Sequence, residues 1–72
     1  MNYEQKYKAL LLVATGEKYD AMDLSRAYYK AYKETLDWHL CSDLLDELQR
    51  RGIVQHDGWG YHRNHCYRLQ TS

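Results

Sequence analysis

Apolar residues recur at helical spacing over roughly the first fifty positions and then switch to a shorter period. Asn2 is placed to cap a first helix, with Gln5 able to reach back toward it as in a capping box. Tyr3, Tyr7, Leu10, Leu11 and Ala14 follow at helical spacing, and Gly16 ends the segment. Asp20 opens a second helix whose face is Leu24, Ala27, Tyr28 and Ala31, with Tyr32 on the same side and Tyr29 turned away. Thr35 is the expected cap of a third helix, where Cys41, Leu44, Leu45 and Leu48 form the buried stripe and Gly52 is the stop. Beyond it, Ile53 and Val54 begin a β-compatible stretch. Asp57-Gly58 and Gly60 supply turn chemistry, and residues 65–69 read as a return strand. Leu45, Leu48 and Ile53 are expected to pack against Leu11 and Leu24.

The order helix, helix, helix, hairpin resembles a winged helix-turn-helix domain. The resemblance runs from Leu24 to Leu69. It rests on the helix tail Leu48-Gln49-Arg50-Arg51-Gly52-Ile53-Val54 and on the closing strand Cys66-Tyr67-Arg68-Leu69. It implies one domain over residues 1–72, mainly α with a small β-hairpin (α+β), built as a three-helix winged helix-turn-helix. It also implies a small DNA-binding protein, a transcriptional regulator of phage or mobile-element type. In such regulators the exposed face of the third helix enters the major groove.

Composition adds limits. Seventy-two residues allow one small domain, and 44% hydrophobic with 28% charged residues is a globular composition. The longest apolar run, residues 9–14, is far below the ~20 residues of a membrane span. Two cysteines, Cys41 and Cys66, do not make a disulfide scaffold and fit reduced thiols in a cytoplasmic protein. No cofactor, membrane or small-molecule substrate is expected.

The ten basic and ten acidic residues cancel, but not locally. Residues 1–33 sum to +2, residues 34–49 to −5 with no basic residue, and residues 50–72 to +3. Carboxylates on the outward face of the third helix would be repelled by the phosphates lining a groove. Contacts to DNA are therefore expected mainly from the wing (Arg63, Asn64, Arg68) and from the second-helix lysines Lys30 and Lys33, with His39 and Ser42 at the start of the third helix. Trp59, Tyr61, His62 and His65 accompany them in the wing. The alternative is a winged-helix protein-interaction module or small inhibitor. Its acidic third helix (Asp43, Asp46, Glu47) would engage a basic surface of a nucleic-acid-processing machine, flanked by the exposed aromatics Tyr29 and Trp38. Helix physics also accounts for some of these acids: Glu34 and Asp37 favour a helix N-terminus, and Asp46 pairs with Arg50 at i,i+4. A homodimer through tyrosine and tryptophan positions is a third expectation.

Catalytic and metal chemistry finds little support. His39 and Cys41 would point about 200° apart on a helix, and His65 and Cys66 face opposite sides of a strand. Cys41 falls in the buried stripe, where a thiol behaves as a small hydrophobe. Nothing in the sequence supplies an oxyanion hole or a phosphate-binding glycine loop, so the chain reads as a non-enzyme with no metal site.

Overall fold

The computed structural model describes residues 2–60 and 63–70. Tyr61 and His62, named above with the wing, lie outside them. The elements are α1 (Tyr3–Val13), α2 (Ala21–Tyr32), α3 (Trp38–Arg50), β1 (Val54–Trp59) and β2 (His65–Leu69).

Each helix begins on a side chain that satisfies backbone N–H groups left free at the first turn. The Gln5 N–H donates to the Asn2 side chain at 2.8 Å, and the Asn2 N–H donates to the Gln5 side chain at 3.2 Å, completing the capping box. Asp20 accepts from the Asp23 N–H at 2.7 Å and starts α2. The cap of α3 is Asp37, which accepts from the His39 N–H at 2.8 Å, and not Thr35. The reason lies one residue earlier. Leu36 is buried, and the Ser25 hydroxyl donates to its carbonyl at 2.6 Å, holding the connection non-helical past Thr35.

The two strands pair antiparallel, with Val54 opposite Leu69, Gln55 opposite Arg68 and His56 opposite Tyr67. The register then shifts, and Trp59 stands opposite His65. Asp57-Gly58, expected as the turn, therefore lies inside β1 as a bulge, with Gly58 at φ +79. The hairpin gains a partner on its other edge. The Tyr19 N–H donates to the Tyr67 carbonyl at 2.9 Å, and the Tyr67 N–H returns the bond at 2.8 Å. A lone hairpin is marginal in water, and this bridge ties it to the connection between α1 and α2.

The core joins Ala9 and Val13 of α1, Leu24 and Tyr28 of α2, Leu36, the α3 stripe Cys41, Leu44, Leu45 and Leu48, and Val54 of β1. The α3 stripe is as expected, but α1 is turned. Tyr3, Tyr7 and Leu11 are 86%, 58% and 48% exposed, and Ile53 is also exposed. Ala9, Val13 and Val54 occupy the places assigned to them. α1 is apolar on two faces, so periodicity does not choose between them. The face that turns inward is the one that lets Lys6 pair with Glu47 at 3.0 Å and Lys8 with Glu34 at 2.9 Å.

Tyr28 is fully buried, its ring edge-on to Tyr32 with centroids 5.0 Å apart, and burial pushes its phenol pKa up. Its hydroxyl has no hydrogen-bond partner among the described residues, whereas the Tyr32 hydroxyl donates to the Lys8 carbonyl at 3.2 Å. An unpaired buried hydroxyl is costly and a paired one is not. The two conservative substitutions should therefore differ in sign. Tyr28→Phe should raise unfolding stability by about 1 kcal/mol, and Tyr32→Phe should lower it by about 0.5–1 kcal/mol, both read from urea midpoints at constant m.

Candidate nucleic-acid interface

The first residues of α2 and α3 and the start of β2 border a groove of about 230 Å³. It is lined by Ala21 and Met22 from α2, by Trp38, Ser42 and Leu45 from α3, and by Arg63, Asn64, His65 and Tyr67 from the wing. Two helix N-termini open toward it, each carrying the partial positive charge of its macrodipole. Trp38 is half exposed and stacks on His39 with ring centroids 3.7 Å apart.

A tight junction sets the wing's position beside α2. Asp20, only 2% exposed, caps α2 on one side and faces the wing on the other. Gly60 packs so closely there that a Cβ would lie 2.8 Å from an Asp20 carboxylate oxygen and 2.8 Å from the Cys66 sulfur. The Gly60 N–H donates to the Asn64 carbonyl at 2.7 Å and closes the wing loop. Arg63 is held at φ +61, a left-handed backbone that few non-glycine residues adopt. Burial pushes both thiols up, Cys41 to about 11, which suits inert cysteines.

The acidic segment looks different in three dimensions. Glu34 pairs with Lys8, Asp37 caps α3, Asp46 pairs with Arg50, and Glu47 pairs with both Lys6 and Arg51. The Lys6 hydrogen bond, with Arg51 and Arg50 nearby, holds the Glu47 carboxyl below the usual carboxylate range. Its stabilising contribution is present at neutral pH and is lost as pH falls through that lowered value. Asp43 is the one carboxylate of this segment in neither an ion pair nor a cap among the described residues. Its shallow hollow also holds Lys6 and Arg50. The cations that answer these acids come from α1 and the end of α3, which is why none is needed between residues 34 and 49.

Of the residues singled out in the sequence, Ser42, Arg63 and Asn64 meet at the groove, with Trp38 among them and His39 stacked on it. Arg68 lies on the wing and pairs with Asp57 at 3.3 Å. Lys30 and Lys33 stand at the far end of α2. Lys30 is nine residues past Ala21, or about 14 Å along the axis. Tyr29 is exposed there too. Among the described residues, Lys18, Lys30, Lys33 and Arg63 are the Lys and Arg side chains outside any ion pair. No local pattern in the sequence singles out Lys18. Its ammonium lies beside Gly58, so the bulge and the Tyr19 bridge bring it to the wing.

Three helices followed by an antiparallel hairpin, with a single-residue bridge between α1 and α2, make this a winged helix-turn-helix domain. Among solved structures it is similar to the complex structure of hsRosR-S1, with TM-score 0.73 and 21% identity over 99% of this chain and 61% of that one. It is equally similar to the complex structure of hsRosR-S4, with TM-score 0.74 and 21% identity over 99% of this chain and 59% of that one. The chain thus spans about three-fifths of the length of the structures it matches. No protein-family model matches the sequence, and no curated protein matches it. No helix among the described residues is long and apolar enough to cross a membrane.

The Gly60 contact yields a direct test. Asp20 and Cys66 are both buried and Asp20 is held by its bond to the Asp23 N–H, so Gly60→Ala should destabilise the fold by about 1–3 kcal/mol in denaturant unfolding, as overpacking does elsewhere.

Proposed function

We propose that the chain is a small DNA-binding regulator that acts in the cytoplasm and grips duplex DNA with the wing and the adjoining ends of α2 and α3. The observation that carries this reading is the groove itself. Arg63, outside any ion pair, and Asn64 converge there with Ser42 and Trp38 beside two helix N-termini. Arg63 and Asn64 are donors suited to phosphate oxygens, and an exposed tryptophan can lie against sugar or base. Lys18 adds positive charge beside the wing, and Lys30 and Lys33 offer a second backbone contact at the far end of α2. The winged-helix likeness to RosR agrees with this reading. An acidic docking helix, the alternative, would have to rest on Asp43, because the other carboxylates of the segment are engaged within the chain.

Fluorescence anisotropy with a labelled duplex tests this. At ~50 mM salt the wild type should bind in the micromolar range expected of a non-specific, electrostatic contact. Arg63→Ala should weaken binding and reduce the slope of log affinity against log salt by about 1. Arg26→Ala, which removes an arginine already paired with Asp23, should leave both unchanged. Asp43→Lys should strengthen binding. Absence of binding at ~50 mM salt, or identical behaviour of Arg63→Ala and wild type, would overturn the reading.

One small neutral domain has few phosphate contacts, and half-sites one helical turn apart are read by pairs. We therefore take the binding unit to be two copies. Sedimentation equilibrium at high micromolar concentration should return the dimer mass, and a monomer there removes this part of the reading.

A further inference from the structure

We infer that His56 and His65 form a surface site for a tetragonal divalent transition-metal ion, Cu²⁺ or Ni²⁺. The two side chains come from opposite strands of the wing, and the bulge at Asp57-Gly58 brings them together. His56 pairs with Tyr67 and His65 with Trp59, two positions along. The His65 Nδ1 and the His56 Nε2 are 2.9 Å apart, with ring planes inclined by 64°. Two metal–nitrogen bonds of about 2.0–2.1 Å at a right angle span about 2.9 Å, while a tetrahedral angle needs about 3.4 Å. The hydrogen-bonded separation equals that of two adjacent positions of a square-planar or tetragonal ion, the geometry that Cu²⁺ and Ni²⁺ prefer and Zn²⁺ does not, and a small rotation of the exposed rings turns both lone pairs onto a common ion.

The surroundings suit a ligand pair. Both imidazoles are exposed, so an ion can reach them, and neither ring has a carboxylate in contact among the described residues. Their backbones are fixed by strand pairing, which limits the ordering needed on binding. The Trp59 ring lies 4.5 Å from His65 and 5.4 Å from His56, and the Tyr67 ring 6.0 Å from His56, so both imidazoles rest against aromatic surface. Without an ion, one ring N–H can donate to the other nitrogen. Metal binding takes up both lone pairs, the donating ring shifts its N–H proton to its other nitrogen, and the register of the wing is locked. The inference does not depend on DNA binding.

Titration calorimetry with CuCl₂ and NiCl₂ in a weakly coordinating buffer, with Cu²⁺ electron paramagnetic resonance, tests it on the full chain. The expected result is one saturable ion per chain, Cu²⁺ tighter than Ni²⁺, with coupling to two equatorial nitrogens. His56→Ala and His65→Ala should each weaken binding at least about tenfold and remove one nitrogen coupling, while His39→Ala should change neither. Both variant positions are exposed, and retention of the far-ultraviolet circular dichroism spectrum confirms that each variant is folded. Failure to saturate at one ion per chain by about 1 mM metal, or wild-type affinity in either variant, would overturn the inference.

Discussion

A buried carboxylate joins the two halves of this domain. Asp20 satisfies the first turn of α2 while its other side meets Gly60 and Cys66 of the wing. Burying a charge is costly unless hydrogen bonds compensate it, and the helix end supplies that compensation. The wing is thereby set against α2 at a distance no side chain larger than glycine would allow. The adjacent bridge between Tyr19 and Tyr67 fixes the same junction through the backbone. The groove at the ends of α2 and α3 exists because these contacts hold the wing beside it.

Electrostatics within the fold follows a division of labour. The outer turns of α1 and the end of α3 supply lysines and arginines that clamp the acids of the 34–49 segment. The clamps Lys6–Glu47 and Lys8–Glu34 hold α1 across the helices it covers. They are partly exposed, so each adds little stability in water. The cations left over lie on the wing side and at the end of α2. A neutral chain thereby presents positive charge where its internal pairing stops.

What could be read from the sequence was whatever local chemistry decides. Asn2 and Asp20 act as caps because the bonds they make reach only three residues ahead. The stripe from Cys41 to Leu48 is unambiguous because the opposite face of α3 is charged. The return strand at 65–69 is bounded as its alternation suggests. The remainder depends on tertiary partners. Thr35 and Asp37 are both acceptable caps, and burial of Leu36 chooses between them. Asp57-Gly58 reads as a turn, yet its positive φ serves equally in a bulge, and pairing with β2 decides. The same holds for the site. Arg63, Asn64 and Ser42 were recognisable by residue type, and their convergence came from the fold. Lys30 and Lys33 were grouped with them by charge alone, and they stand at the other end of the helix. His56 carries no local signal, because its partnership with His65 exists only once the strands are paired with one extra residue.

The left-handed backbone at Arg63 sets the stability of the wing against the charge it carries. A non-glycine residue in that conformation carries a strain of about 1–2 kcal/mol that glycine would not. A small domain has little stability to spare. Glycine there would relieve the strain and remove the cation from the groove, so stability and surface charge pull in opposite directions at this one position.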